Sequence, residues 1–279
     1  MPYAKYVWER SKAGNQVLTG GCNPNVVSRS HPRFSASVAL SMLLFCASSS
    51  GQDALQLFHK MQTALGGAEK IASVRDFEES VRAQAWHNDG VAMGDVRKRT
   101  RWIRPNILRL DQVGAEDTYV LYFDGTSGWE MLPDKTVANL AGGELKFAQN
   151  YLSGQNLNFW LADRDPSKMI TFSKPNTIVI STKGDPSQRT EFTLDSVTFL
   201  PVKETDISLS DPNHPVSYES RLEQWRAIDG VKFPQRITKF HSGVKVAEIT
   251  VEQIRLNSGI KAGDLAIKPQ DLKPVMSQP

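Results

Sequence analysis

Residues 225–237, WRAIDGVKFPQRI, decide the fold of this chain. The Asp229-Gly230 pair is a tight-turn signal, because glycine adopts positive φ without steric cost. Pro234 lies near the start of the run that follows, where a missing backbone N–H costs a strand least. The pattern predicts a hairpin whose two strands cover residues 217–228 and 232–241.

The same strand-and-turn rhythm extends in both directions from this hairpin. Ser242-Gly243 is a second hairpin turn, and it leads into a strand at residues 244–256. Further strands are predicted at residues 77–85, 96–104, 107–113, 119–124, 129–132, 169–172, 177–182, 190–194 and 202–208. Turns recur about every ten residues, which is typical of all-β proteins. Consecutive hairpins build one long antiparallel sheet, and accumulated strand twist curls such a sheet or closes it into a barrel.

Two segments break this rhythm with helical spacing. Residues 53–65 place Ala54, Leu57, Phe58, Met61 and Leu65 on one face, and Gly66-Gly67 ends the helix. Residues 144–162 predict one or two short helices with Gly154 between them. Both segments have apolar faces that need cover, and the concave face of a curled sheet provides it. The fold class is therefore mainly β (α+β), with one domain at residues 52–270 and a flexible tail at residues 271–279.

Residues 34–51, FSASVALSMLLFCASSSG, read as a cleaved export signal. The apolar block is shorter than the roughly 20 residues of a membrane span, and it matches a signal-peptide core of about 7 to 15 residues. Small residues follow it, with cleavage expected after Ser49 or Gly51. A buried helix, an uncleaved anchor and a lipoprotein modified at Cys46 remain alternatives. Residues 1–33 form an N-terminal extension that a start codon assigned too far upstream would explain.

Removing this leader changes what the composition implies. The net charge of the 279-residue chain is +3, but residues 1–51 carry +4, so the remaining 228 residues carry about −1. A nucleic-acid partner thereby loses its electrostatic support. Cys22 and Cys46 are both lost if cleavage follows Cys46, which would leave no disulfide and no cysteine nucleophile. We expect a periplasmic protein, monomeric and held together by its core.

Catalytic and metal-binding patterns are missing from the sequence. It has no nucleophile elbow, no phosphate-binding loop and no dinucleotide fingerprint. The four histidines of the domain are scattered: His59, His87, His214 and His241. We therefore predict a protein without cofactor or metal that is not an enzyme, with a hydrolase as the least favoured alternative.

The densest charge cluster is the run Arg97-Lys98-Arg99-Thr100-Arg101. On a strand, Arg97, Arg99 and Arg101 share one face, and the two residues between them share the other. Three readings stay open for the arginines. They form a solvated outer face, an electropositive patch for lipid headgroups or an acidic partner, or an inward hydrogen-bonding group that holds a lid.

Several strands are apolar on both faces, such as residues 119–123, YVLYF. A sheet that is covered on one side only should alternate cleanly, so a second covered surface is expected. Either ordinary core packing or a cavity for an acyl chain would account for this second covered surface. The candidates for a cavity lining or its lid are Leu57, Phe58, Met61, Trp102, Leu108, Leu110, Trp129, Trp160 and Trp225.

The order of short motifs resembles the LolA/LolB-like superfamily of outer-membrane lipoprotein-sorting proteins. The resemblance rests on residues 64–67 (ALGG), 123–129 (FDGTSGW), 200–204 (LPVKE), 225–237, 256–260 (LNSGI) and 267–269 (IKP). Together these motifs span about residues 53 to 270, and they are turn motifs that specify a fold.

The resemblance implies a strongly curved antiparallel sheet that forms an unclosed barrel, with helices lying in its hollow as a lid. It also implies a non-catalytic periplasmic protein that binds or carries lipoprotein acyl chains or another apolar ligand. The helix at 54–65 and the segment at 145–161 would be the lid. An envelope sensor or interaction module of the same fold, docking on a membrane surface or an envelope protein, is the alternative.

Overall fold

The computed structural model describes residues 47–114, 118–132, 134–209 and 216–269, and it consists mainly of one antiparallel sheet. The thirteen strands are β1 Asp76–Trp86, β2 Ala92–Ile103, β3 Ile107–Val113, β4 Thr118–Phe123, β5 Gly128–Met131, β6 Val137–Asn139, β7 Lys168–Lys174, β8 Thr177–Thr182, β9 Asp185–Leu194, β10 Pro201–Ser208, β11 Val216–Ile228, β12 Val231–His241 and β13 Val244–Leu256. The helices are α1 Ala47–Leu65, α2 Ala68–Ala72, α3 Gly142–Ser153, α4 Asn156–Phe159 and α5 Ala262–Ala266, with a 3₁₀ turn at Ala162–Arg164.

The strand order follows the hairpin rhythm of the sequence. It runs β6-β5-β4-β3-β2-β1-β13-β12-β11-β10-β9-β8-β7. Strand β1 pairs with both β2 and β13, so the first and last strands meet in the middle of the sheet. Within the described residues, the edge strands β6 and β7 pair with one neighbour each, so the barrel stays unclosed. The predicted fold class is confirmed.

Helices α1, α3 and α4 cover one face of this sheet. Helix α1 contacts β7, β8 and β12, and α3 and α4 lie in the connection from one edge strand to the other. The main hydrophobic cluster joins side chains of α1, α3 and α4 to side chains of both halves of the sheet. Burial of a large apolar side chain contributes roughly 1.5–3 kcal/mol, so this shared core holds the helices in the hollow.

Two motifs far apart in the sequence meet at the base of the hollow. Gly66 follows the last residue of α1, and Gly230 lies in the turn between β11 and β12. A Cβ atom on Gly66 would lie 2.1 Å from the carbonyl oxygen of Gly230, and φ of Gly66 is +121°. Only glycine permits both this backbone conformation and this approach. The contact fixes where the end of α1 rests on the sheet.

Apart from shifts of one or two residues, the elements differ from the prediction at five places. Helix α1 begins at Ala47, six residues before the predicted start, and its first two turns include the positions of expected cleavage. Strand β6 and helix α5 were missed, and β2 and β9 begin at Ala92 and Asp185, earlier than predicted. The added residues of β2 pair with β1, and such pairing overrides weak local strand propensity. The N-terminal extension with Cys22, the apolar block of the predicted export signal with Cys46, and the tail lie outside the described residues.

Candidate functional site

The candidate site is the hollow between the sheet and the helices. Residues paired across antiparallel strands share one face, so the strand register separates an inner face from an outer one. Trp102 is buried in the main core, and it lies on the same face of β2 as Thr100 and Lys98. Arg97, Arg99 and Arg101 therefore point to the outer face.

Most of the predicted apolar site residues line the hollow. The predicted site residues that are buried members of the main cluster are Leu57, Phe58, Met61, Trp102, Leu108, Leu110 and Trp160. Trp225 packs against this cluster, with its ring centroid 6.3 Å from that of Trp160. Phe58 and Met61 have no exposed surface. Whether these side chains contact a ligand stays a prediction.

The structure does not bring Trp129 to the hollow. It lies on the outer face in a second cluster with Val120 and Met131. Arg109 lies over its ring at 5.6 Å and donates through Nη1 to the carbonyl oxygens of Leu265 and Ile267. Trp129 therefore packs close to the C-terminal segment on the outer face of the sheet. It does not pack against the helices of the candidate lid.

The three arginines of the basic run form ion pairs on the outer face or lie exposed there. Arg99 contacts Glu78 at 2.9 Å and Arg101 contacts Asp111, while Arg97 is exposed. Among the readings of the sequence, this placement favours an outer face. A role in contacting lipid headgroups stays a prediction, but these side chains lie on the opposite side of the sheet from α1, α3 and α4.

A different arginine, absent from the sequence prediction, reaches the helices. The Nη1 atom of Arg104 is 3.4 Å from the carbonyl oxygen of Ala72, and its Nη2 is 3.5 Å from those of Ile71 and Leu157. Its guanidinium group lies 5.1 Å from the ring centroid of Trp102. Burial lowers the pKa of Arg104, and the nearby charge of Arg164 adds to this effect. Arg104 thus links the sheet to the C-terminal end of α2 and to α4.

A buried amide joins the helices to one another. The Nε2 atom of Gln62 on α1 donates to the carbonyl oxygen of Trp160 and to Oδ1 of Asp163, both at 2.9 Å. His59 Nε2 lies 3.4 Å from the other carboxylate oxygen of Asp163. Helix α1 and the segment after α4 are therefore connected by polar contacts as well as by core packing, as a single cover would require.

Beyond the apolar core, four charged residues of the inner face lie close to a tyrosine of α3. We call this group the polar cluster: Glu79, Lys98, Glu204 and Lys239 from the sheet, and Tyr151 from α3. Lys98 Nζ donates to the Tyr151 hydroxyl of α3 at 2.8 Å and lies 5.2 Å from the centroid of that ring. Burial raises the pKa of Glu79, and the charges of Lys98 and Lys239 oppose the change. Burial likewise lowers the pKa of Lys239, which the charge of Glu204 opposes.

The sequence prediction missed this cluster. Its members come from β1, β2, α3, β10 and β12, and no local pattern links them. One signal was present in the basic run, because Trp102 has the same strand parity as Lys98 and a tryptophan on that face indicates the buried side.

Two negative findings hold for the described residues. Histidine, cysteine, aspartate and glutamate side chains there form no group of three or more suited to hold a metal ion. No helix there combines the length and apolar character that crossing a membrane requires.

Comparisons with known proteins give matches in structure only. No protein-family model matches the chain, and no curated protein matches it in sequence. A structure described as an outer membrane lipoprotein-sorting protein domain from Vibrio parahaemolyticus aligns with a TM-score of 0.51 and 10% identity, over 77% of this chain and 97% of that one. A DUF1329 family protein from Desulfovibrio piger aligns with a TM-score of 0.53 and 12% identity over the same shares.

A LolA superfamily protein from Nitrosomonas europaea aligns less closely, with a TM-score of 0.49 and 15% identity over 77% of this chain and 97% of that one. At these identities the matches establish architecture and leave ligands open. The chain therefore has the fold of the outer-membrane lipoprotein-sorting domain that its turn motifs resemble.

Proposed function

We propose that this protein is a non-catalytic periplasmic carrier that binds an acyl chain, or another apolar ligand, in the hollow between its sheet and its helices. The observation that carries the proposal is the seating of α1. Its apolar face is buried in the hollow of an unclosed barrel, where Phe58 and Met61 have no exposed surface. An acyl chain is also apolar, so it could take the place of the apolar face of α1 against the sheet.

The helices lie in the sheet as a closed lid would. The hydrogen bonds described above that join them to the sheet are few, and those of Arg104 are long. A lid held mainly by apolar packing can exchange that packing for an apolar ligand at little net cost in buried surface. The shift between the two states is then set by the ligand's differential affinity.

The fold likeness supports the same function. A structural neighbour is described as a lipoprotein-sorting domain, and two of the motifs that resemble that superfamily, residues 123–129 and 225–237, contain turns of this sheet. Export to the periplasm, by a cleaved signal within residues 34–51, fits such a carrier. We propose lipoprotein or lipid acyl chains as its partners, and a monomer as its state.

Native mass spectrometry of the protein purified from the periplasm tests this proposal. We expect adducts with the masses of acylated molecules, and we expect a synthetic diacylated lipopeptide to displace the apolar dye N-phenylnaphthylamine from the hollow. A protein that stays empty and takes up neither probe would contradict the carrier function and favour the interaction module. N-terminal sequencing of the same sample locates the cleavage site and shows whether Cys46 is retained.

A further inference from the structure

The polar cluster has a layout that core packing does not require. Glu204, on β10, pairs with Ser220, and Ser220 pairs with Lys239 on β12. Toward the other half of the sheet, the same cross-strand row continues through Ala247, Ala85 and Gly94. Glu204 pairs on its other side with Phe192, a residue of the main core. This row therefore runs from the apolar hollow into a stretch of small side chains.

The small residues leave this part of the inner face thinly covered. Ala85 and Ala247 are partly buried, and Gly94 is exposed, in contrast to the fully buried core under α1. A molecule in the hollow could extend along this row without displacing a large side chain. Its polar end would then meet Lys239 and Glu204.

Glu204 is the most informative member of the cluster. Its side chain is buried, with 2% of the residue exposed, yet among the described residues its Oε1 atom has no hydrogen-bond partner. A buried acceptor without a donor is costly, and the cost is larger for a charged group. A ligand that brings an N–H donor would satisfy this oxygen.

The charges of the cluster select among such ligands. Lys98 and Lys239 balance Glu79 and Glu204, so the four ionisable groups sum to zero. A ligand with a net charge would add an uncompensated charge to a partly enclosed site, which is unfavourable. A zwitterion with an ammonium group and a phosphate adds none, and it offers one partner for the carboxylate and one for the lysines.

We propose that the polar cluster binds the headgroup of a phosphoethanolamine lipid, with the ammonium group donating to Glu204 and the phosphate lying between Lys98 and Lys239. This assignment rests on the proposed function, because the acyl chain of the same molecule would occupy the apolar hollow. The phosphate would replace the Tyr151 hydroxyl as the acceptor for Lys98. Headgroup binding would thus release one of the contacts that hold α3 against the sheet.

Three lysolipids with one palmitoyl chain test the proposal on the purified protein by isothermal titration calorimetry. Lysophosphatidylethanolamine carries an N–H donor and no net charge. Lysophosphatidylcholine is also neutral overall, but its quaternary ammonium group has no N–H, and lysophosphatidylglycerol carries a net negative charge. We expect the first to bind about tenfold more tightly than either of the others, from the strength of a charge-assisted hydrogen bond.

Two variants act in opposite directions. Glu204→Gln should weaken lysophosphatidylethanolamine about tenfold and leave lysophosphatidylcholine unchanged, because only the former donates to the carboxylate. Tyr151→Phe removes the hydroxyl that accepts from Lys98, so the phosphate no longer competes with it, and lysophosphatidylethanolamine should bind several-fold more tightly. Glu252→Gln, at an exposed position of β13, is the matched control, and circular dichroism reports folding for each variant.

The outcomes separate this proposal from the carrier function. Equal binding of the three lysolipids by the native protein overturns the headgroup site and leaves acyl binding intact, and this comparison needs no variant to fold. Binding of free O-phosphoethanolamine as tightly as the lysolipid overturns the lipid assignment. Failure of every lysolipid and of the apolar dye overturns both proposals together.

Discussion

Replacing Phe58 with alanine separates a lid from an ordinary core helix. Phe58 is fully buried on the face of α1 that packs in the hollow. Removing its ring weakens the closed arrangement of α1 and leaves a cavity beside the sheet. If α1 is a lid, the Phe58→Ala protein should be less stable and should also bind an apolar ligand more tightly, because both the cover and the ligand compete for one surface.

The size of both effects follows from the burial. A fully buried phenylalanine truncated to alanine loses about 3–5 kcal/mol of stability, which lowers the melting temperature of a domain of this size by roughly 6–20 °C. If roughly 1.4 kcal/mol of this loss affects the closed state relative to the open state of the lid, the apparent affinity for the ligand rises about tenfold.

Urea unfolding followed by tryptophan fluorescence measures the stability, and titration with N-phenylnaphthylamine measures the affinity. Met131→Ala is the matched control, because Met131 is buried in the second cluster on the outer face. It should lose stability by about 2–5 kcal/mol without any gain in affinity. A Phe58→Ala protein that is destabilised but binds the dye no better than Met131→Ala would refute the lid.

Three further outcomes are expected. Arg104→Met should raise dye affinity several-fold with a modest loss of stability, because it releases the carbonyl oxygens of α2 and α4, whereas Arg97→Met, at an exposed outer position, should change neither. Arg109→Met should speed tryptic cleavage after Lys261 about tenfold, measured by mass spectrometry, because two carbonyls of the C-terminal segment lose a charged donor. The backbone N–H groups of Ser127 and Thr126 lower the pKa of Asp124 to about 2, so its contribution to stability is present above about pH 4 and is lost toward pH 2. In Asp124→Asn, the free energy of unfolding measured with urea should therefore depend less on pH over that range. A pH dependence equal to that of the native protein would contradict a stabilising role for Asp124 in this turn.

The architecture was predictable because its signals are local. Alternating strands and turn residues predicted the antiparallel sheet, and the Asp229-Gly230 turn lies between β11 and β12 as expected. Helical spacing identified the buried face of α1. Strand β6 was missed because it has three residues, all exposed, so it carries no alternation to detect.

The polar side of the hollow was not predictable in the same way. Lys98 and Thr100 were placed correctly on one face of their strand, and Trp102 on that face was a signal for the inner side, but it does not reveal the other members of the cluster. Glu204 and Lys239 are separated by β11 and meet only through the register of three strands. Lys98 lies on the other half of the sheet, and the curl of the sheet brings it close to Lys239. Such proximity depends on the global curvature, which no local pattern encodes.

The difference between local signals and contacts that depend on the curvature of the sheet also limits what the motif resemblance implies for this protein. Several of its residues are turn residues such as Gly66 and Gly230, whose backbones approach closely and thereby seat α1 on the sheet. These turns position α1 without specifying which side chains line the hollow. Glu204 belongs to one of those motifs, yet its neighbours Lys98 and Lys239 belong to none, and they decide whether its carboxylate faces a lysine or a ligand. The fold is therefore inherited with the motifs, while the ligand has to be determined from the inner face of this particular sheet.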